Sequence, residues 1–199
     1  MVQNTSSDIP IYSPPARRSH WWVAFLVLLQ APIGFYMTYR REELARLKEA
    51  GETVVAGPDS ITSLLYSSHK TIGISIFLLV LLRLSYRFTR GAPPSDPSVP
   101  RALTGLSHFV HWGLYLMLLL VPIGGYLVIS YGRYLDVFGL PLPAVTVQDK
   151  EFSKELFEFH ELGAAILLAL VGLHIIAAGY HRFVRKDRVV ERMLPRRYV

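Results

Sequence analysis

Four runs of apolar residues, roughly 20–38, 69–88, 106–130 and 160–181, are each long enough to cross a bilayer, which takes about 20 helical residues. In hydrocarbon every main-chain N–H and C=O needs a partner within the protein, so each run must be a helix and the helices must assemble. The expected fold is therefore all-α: a four-helix transmembrane bundle over 20–181, flanked by an N-terminal tail (1–19) and a basic C-terminal tail (182–199). A cleaved signal peptide does not fit the first run, because a polar leader precedes it and YRREE follows it. A hydrophobic content of 51% with only 18% charged residues excludes an ordinary soluble domain of 199 residues.

Charge sets the orientation. With both termini on one side, that side carries 13 Lys and Arg against four Asp and Glu, and the other side carries 8 against 11. The positive-inside rule then makes both termini cytoplasmic. The loops 39–68 and 131–159 face outward, and the Pro-rich turn GAPPSDPSVP (91–100) faces inward. Trp21 and Trp22 read as interfacial anchors. The net charge of +6 belongs to this topology and not to nucleic acid, because the basic residues sit at the ends of apolar runs and not on one face among aromatics. Pro122, Gly124 and Gly125 read as a bend and close packing in the third helix.

Histidines in hydrocarbon are functional candidates by default. His160 opens the fourth run from outside, and His174 follows 14 residues on. At 1.5 Å and 100° per residue, His174 lies roughly 21 Å deeper and within about 40° of the same face. One helix thus presents imidazoles at two depths. His69 is the sole partner at the depth of His160, whereas His174 has a choice of His20, His108, His111 and His181. A flat macrocycle beside its ligand needs a small residue one turn away, where i and i+4 side chains meet. His20, His69, His160 and His174 have Ala24, Gly73, Ala164 and Ala178 there, but His108, His111 and His181 have Trp112, Tyr115 and Arg185. That contrast selects His20 with His174.

The absence of cysteine excludes disulfides, iron–sulfur clusters, thiolate-ligated haem and covalent haem attachment. Zinc wants four ligands at one point, which two separated pairs do not supply. Haem needs two axial ligands only, and bis-histidine ligation leaves no open position, which favours electron transfer over oxygen chemistry. Arg83 repeats the 14-residue step from His69 and reaches the inner depth, where its guanidinium could fork onto a haem propionate. His181, seven residues past His174, returns within about 20° of the same face at headgroup level and could serve a quinone.

The segments SHWW (19–22), HKTIGISIFLLVLLRL (69–84), LTGLSHFVHWGLYLMLLLVPIGGYL (103–127) and HELGAAILLALVGLHIIAAGYHRFVRKD (160–187), with MLP at 193–195, resemble the bacterial cytochrome b561 family of di-haem membrane cytochromes, itself related to the cytochrome b subunits of nickel–iron hydrogenases. The resemblance implies two haem b groups, an inner one on His20 and His174 and an outer one on His69 and His160. It also implies a multi-pass protein of the bacterial inner membrane that exchanges electrons with ubiquinone, and a superoxide oxidase-like, quinone-linked activity at the periplasmic face. Lys70, Arg133 and Lys154 would form the local funnel for superoxide there, although residues 149–161 (DKEFSKELFEFHE) are predominantly acidic and suit a basic protein donor equally well. The alternatives are a haem-bearing anchor for a separate periplasmic redox partner and a histidine-based sensor or transporter.

Overall fold

The computed structural model describes residues 10–51 and 60–194. Four long helices follow one another: α1 Pro14–Glu49, α2 Ser60–Arg90, α3 Arg101–Gly132 and α4 Lys150–Gly179. The fourth runs on into a π-helical turn, Tyr180–Arg185, and a 3₁₀ turn follows at Val190–Arg192. All four are long and apolar enough to span a membrane. Between α3 and α4 the chain forms a small hairpin in which β1 Asp136–Val137 pairs antiparallel with β2 Leu140–Pro141.

The helices outrun the apolar stretches that define them. At 1.5 Å per residue a 36-residue α1 is about 54 Å long, well beyond a hydrocarbon core of about 30 Å. Much of the segment expected to be an outer loop at 39–68 is accordingly helical, with α1 reaching Glu49 and α2 starting at Ser60; positions 52–59 lie outside the described residues. The extension of α1 contains no Pro or Gly before Gly51, and Arg40–Glu43 and Glu42–Arg46 ion pairs lie along it. At the far end of the 131–159 segment, Asp149 caps α4 by accepting from the Phe152 N–H at 3.0 Å, which starts the helix well ahead of His160.

Packing runs in sequence: α1 lies on α2, α2 on α3 and α3 on α4, whereas neither α1 nor α2 packs extensively on α4. The core joins Val23 and Val27 of α1, Ile76 and Val80 of α2 and Tyr115 of α3. Most other large apolar side chains, among them Trp22, Leu82, Phe109 and Ile176, face outward, as a lipid solvent permits.

Both described chain ends meet at one end of the bundle, called inner below. Arg17 donates to Leu194 O at 2.7 Å, Trp21 Nε1 to Met193 O at 2.9 Å and Arg192 to Pro94 O at 2.7 Å. Trp21, expected from sequence to anchor at the interface, is thus tied to the C-terminal segment. At the outer end Ser67 of α2 accepts from the Phe138 N–H of the hairpin at 3.2 Å.

Candidate functional site

The seam that packing leaves open between α4 and the α1–α2 pair is bridged by histidines at two levels. At the inner level His20 of α1 faces His174 of α4, with ring centroids 6.1 Å apart and planes at 77°. At the outer level His69 of α2 faces His160 of α4, at 6.2 Å and 79°. Metal–nitrogen bonds of about 2 Å on either side of one ion would separate two opposed imidazole centroids by about 6 Å. Both pairs meet that spacing. A third imidazole, His111 of α3, stands 5.2 Å from His174, and its Nδ1 pairs with Ser107 Oγ at 3.1 Å. His108 is exposed and belongs to neither pair. Among the described residues no group of three or more His, Cys, Asp or Glu converges on one point.

The outer pair is supported in ways that the sequence does not announce. His160 Nδ1 lies 3.0 Å from Val121 O, and since a carbonyl only accepts, Nδ1 donates and Nε2 is left for a metal. The ring fits because residue 125 is glycine: a Cβ there would stand 2.9 Å from His160 Cε1 and 3.2 Å from its Nδ1. Gly125 therefore seats a histidine, a role beyond the bend and helix packing that its place after Pro122 suggests. On α2, His69 Nδ1 is buried without a hydrogen-bond partner among the described residues, an arrangement that calls for a ligand or water nearby. Gln30 of α1 donates to His69 O at 3.0 Å, and Gly34 lies against the His69 ring. A Cβ added at Gly73, the small residue one turn past His69, would stand 3.7 Å from Gln30 Nε2.

Glu161, next to His160, clamps α4 to α1. It accepts from Thr38 Oγ1 at 2.9 Å and from Arg41 through both oxygens at 3.0–3.1 Å, while the Arg41 guanidinium also covers the Phe157 ring at 4.5 Å. Thr38, Arg41 and Gln30 carry no motif. Only the meeting of distant helices reveals them.

Arg83 sits at the inner level, as its spacing from His69 implies. It donates to Ala16 O and, at 3.2 Å, to Ser19 Oγ beside His20, and it lines a small pocket with Tyr12, Tyr86, Arg87 and Tyr115. His181 lies in the π-helical turn with its Nδ1 2.6 Å from Asp187 Oδ2. Burial alone would raise the Asp187 carboxyl, but hydrogen bonds from His181, the Val189 N–H and Arg185 outweigh it and hold the group below the usual carboxylate range. Sequence reasoning singled out His181 and missed Asp187.

The three outer cations are not equivalent. Lys70 donates to Tyr134 O at 2.8 Å and Asp136 O at 2.7 Å, and Arg133, which closes α3 in the left-handed region (φ 62°), donates to Thr146 O at 2.9 Å. Both tie down the α3–α4 connection while adding charge beside it. Lys154 is exposed on α4 and paired with Glu151 at 2.9 Å.

Residues 11–196 match the family model described as prokaryotic cytochrome b561. Over 130 residues, 65% of this chain and 74% of the relative, the sequence is 31% identical to a protein of Yersinia pestis named probable superoxide oxidase CybB. Over 180 residues, 88% of this chain and 89% of the relative, it is 30% identical to a cytochrome b562 of Cereibacter sphaeroides. It is also 27% identical over 135 residues to cytochrome b561 homolog 1 of Escherichia coli, covering 67% of this chain and 77% of that protein.

Proposed function

The chain belongs to the prokaryotic cytochrome b561 family of haem b membrane electron carriers, and on that premise we propose that it is a quinone-linked oxidoreductase carrying electrons between its outer and inner ends through two bis-histidine haems. His69 with His160 would hold the outer haem and His20 with His174 the inner one. The observation that carries this reading is the pair of 6.1 and 6.2 Å imidazole separations between α4 and the α1–α2 pair, which helix packing leaves apart. When bound, haem would supply a one-electron couple, and His20, His174, His69 and His160 are the residues that would hold it.

The protein's own residues do the rest. Val121 O orients the His160 ring, Gly125 gives it room, and the Glu161 clamp holds α1 against α4 at the same level. Arg83, fixed beside His20, offers its remaining donors to an inner propionate. In this reading the basic inner end faces the cytoplasm and the hairpin side faces the periplasm, as the positive-inside rule favours. Gly125→Ala is expected to push His160 off Val121 O and cost about 1–3 kcal/mol of packing, weakening the outer haem selectively. Haem-to-protein stoichiometry and the low-spin signals of the purified variant check this; unchanged signals would mean that the ring can shift without losing its iron.

Superoxide is the outer donor in this proposal, supported by the name of the Yersinia relative and by the Lys70 and Arg133 charges beside the hairpin. The acidic start of α4, with Glu151 highly exposed, favours a second reading in which a basic protein delivers the electrons to a haem-bearing anchor subunit. Ubiquinone is the inner partner, taken up at His181. The test is to expose the purified protein to a superoxide source with and without added quinone, and to follow haem reduction and reoxidation by stopped flow. Superoxide-driven reduction that quinone reverses supports the first reading, and no reduction supports the second. His181→Phe is expected to leave both haem spectra intact while weakening quinone by about five- to hundredfold, the loss of one hydrogen bond worth about 1–3 kcal/mol. A wild-type reoxidation rate in that variant would move the quinone site away from the inner end.

A further inference from the structure

Immediately after its last membrane span the chain folds back on itself. The π-helical turn Tyr180–Arg185 widens the end of α4, and Lys186 then adopts a left-handed conformation (φ 54°). This reversal closes with the Asp187 N–H on His181 O at 3.3 Å and brings the Asp187 side chain back onto the His181 ring. A π-helical turn is uncommon and often marks a functional site.

The carboxylate is held from several sides. Oδ2 accepts from His181 Nδ1 at 2.6 Å and from Arg185 Nε at 3.0 Å, and Oδ1 accepts from the Val189 N–H at 3.2 Å. Arg185 is anchored in turn to Ser98 O of the inner turn at 2.9 Å. The neighbouring Arg182 and Arg188 are engaged by Glu191. Both members of the pair are largely buried, the His181 side chain 14% and Asp187 9% exposed. An ionised carboxylate only accepts, so His181 Nδ1 carries the hydrogen and the ring presents Nε2 to its other side. Against the effect of burial, hydrogen bonds to Asp187 hold its carboxyl below the usual carboxylate range.

We infer that Asp187 is the positioning residue of an imidazole–carboxylate proton relay that serves the inner quinone, fixing the tautomer and direction of His181 so that Nε2 hands protons to a quinone carbonyl oxygen. The inference rests on the reading that quinone binds at His181. Each electron the quinone takes from the reduced protein is matched by one proton given up at Nε2 by the doubly protonated His181 ring, which is left as the neutral Nδ1–H imidazole still bonded to the Asp187 carboxylate. A hydronium proton from the inner face then recharges Nε2. Two rounds, with two electrons and two protons, convert quinone to quinol. Asp187 donates no proton and touches no substrate; it acts through the ring.

The experiment compares wild type, Asp187→Asn, Asp187→Glu and His181→Phe, purified with haem, in stopped-flow reoxidation by a soluble ubiquinone analogue. It adds ¹⁵N spectroscopy of selectively labelled histidine in the wild type. Asp187→Asn should slow reoxidation about tenfold or more with both haem spectra unchanged, because an amide can donate to Nδ1 and invert the tautomer. Asp187→Glu should recover part of that loss. If His181→Phe is slow and Asp187→Asn is not, the relay is wrong and the quinone site stands. If His181→Phe reoxidises at the wild-type rate, the quinone reading fails and the relay falls with it. Should Asp187→Asn disturb the fold, the wild-type spectrum still decides: a His181 tautomer with bare Nδ1 overturns the assignment.

Discussion

Alanine at His69 or at His160 is expected to remove the same haem and to leave the other in place. The two imidazoles face each other across the seam at 6.2 Å, and each is half of the only outer pair, so neither has a substitute at that depth. Losing an orienting contact behind a metal ligand typically costs 10–100-fold in affinity, and losing the ligand itself costs more. Each variant should therefore purify with roughly one haem per chain and a single low-spin species. Haem extraction against protein concentration, together with low-temperature electron paramagnetic resonance, reads both quantities. Two low-spin haems in either variant, or loss of different haems in the two, would break the outer pairing.

His20→Ala should abolish the inner haem, whereas His111→Ala should keep it. The inner level holds three imidazoles, and geometry separates them. His20 lies 6.1 Å from His174, the spacing that an intervening iron requires, while His111 lies at 5.2 Å and has its Nδ1 engaged by Ser107. His111 shares the neighbourhood without sharing the axis. The same absorption and resonance measurements apply, and an inner haem that survives His20→Ala but not His111→Ala would reverse the assignment.

Much of this molecule is legible in one dimension because lipid is a simple solvent. A run of about 20 apolar residues has to be a helix, and its charges have to lie beyond the hydrocarbon, so the number of spans and the common side of the two termini follow from composition along the chain. The 14-residue step from His160 to His174 places two imidazoles on one face by helix geometry alone. The helix ends were less legible. Past the bilayer, hydropathy no longer reports helix, and capping by Asp149 and ion pairs such as Arg40–Glu43 extend α4 and α1 into segments that read as loop.

Partners from distant segments could not be read at all. Gly125 looks like a packing residue until α3 is seen to lie against His160, and Gln30, Thr38 and Arg41 have no signature until α1 meets the histidine-bearing helices. Asp187 is one acid in a basic tail until the π-helical turn folds it onto His181. The sequence by itself determined the four spans, the shared end of the two termini and the relative depth of each histidine, because these depend on rise per residue and on transfer from water to lipid, both local properties. Only the tertiary structure decided which helices stay apart, which imidazoles face one another across that gap and what steadies them. Those are contacts between residues far apart in the chain, and no local rule specifies them.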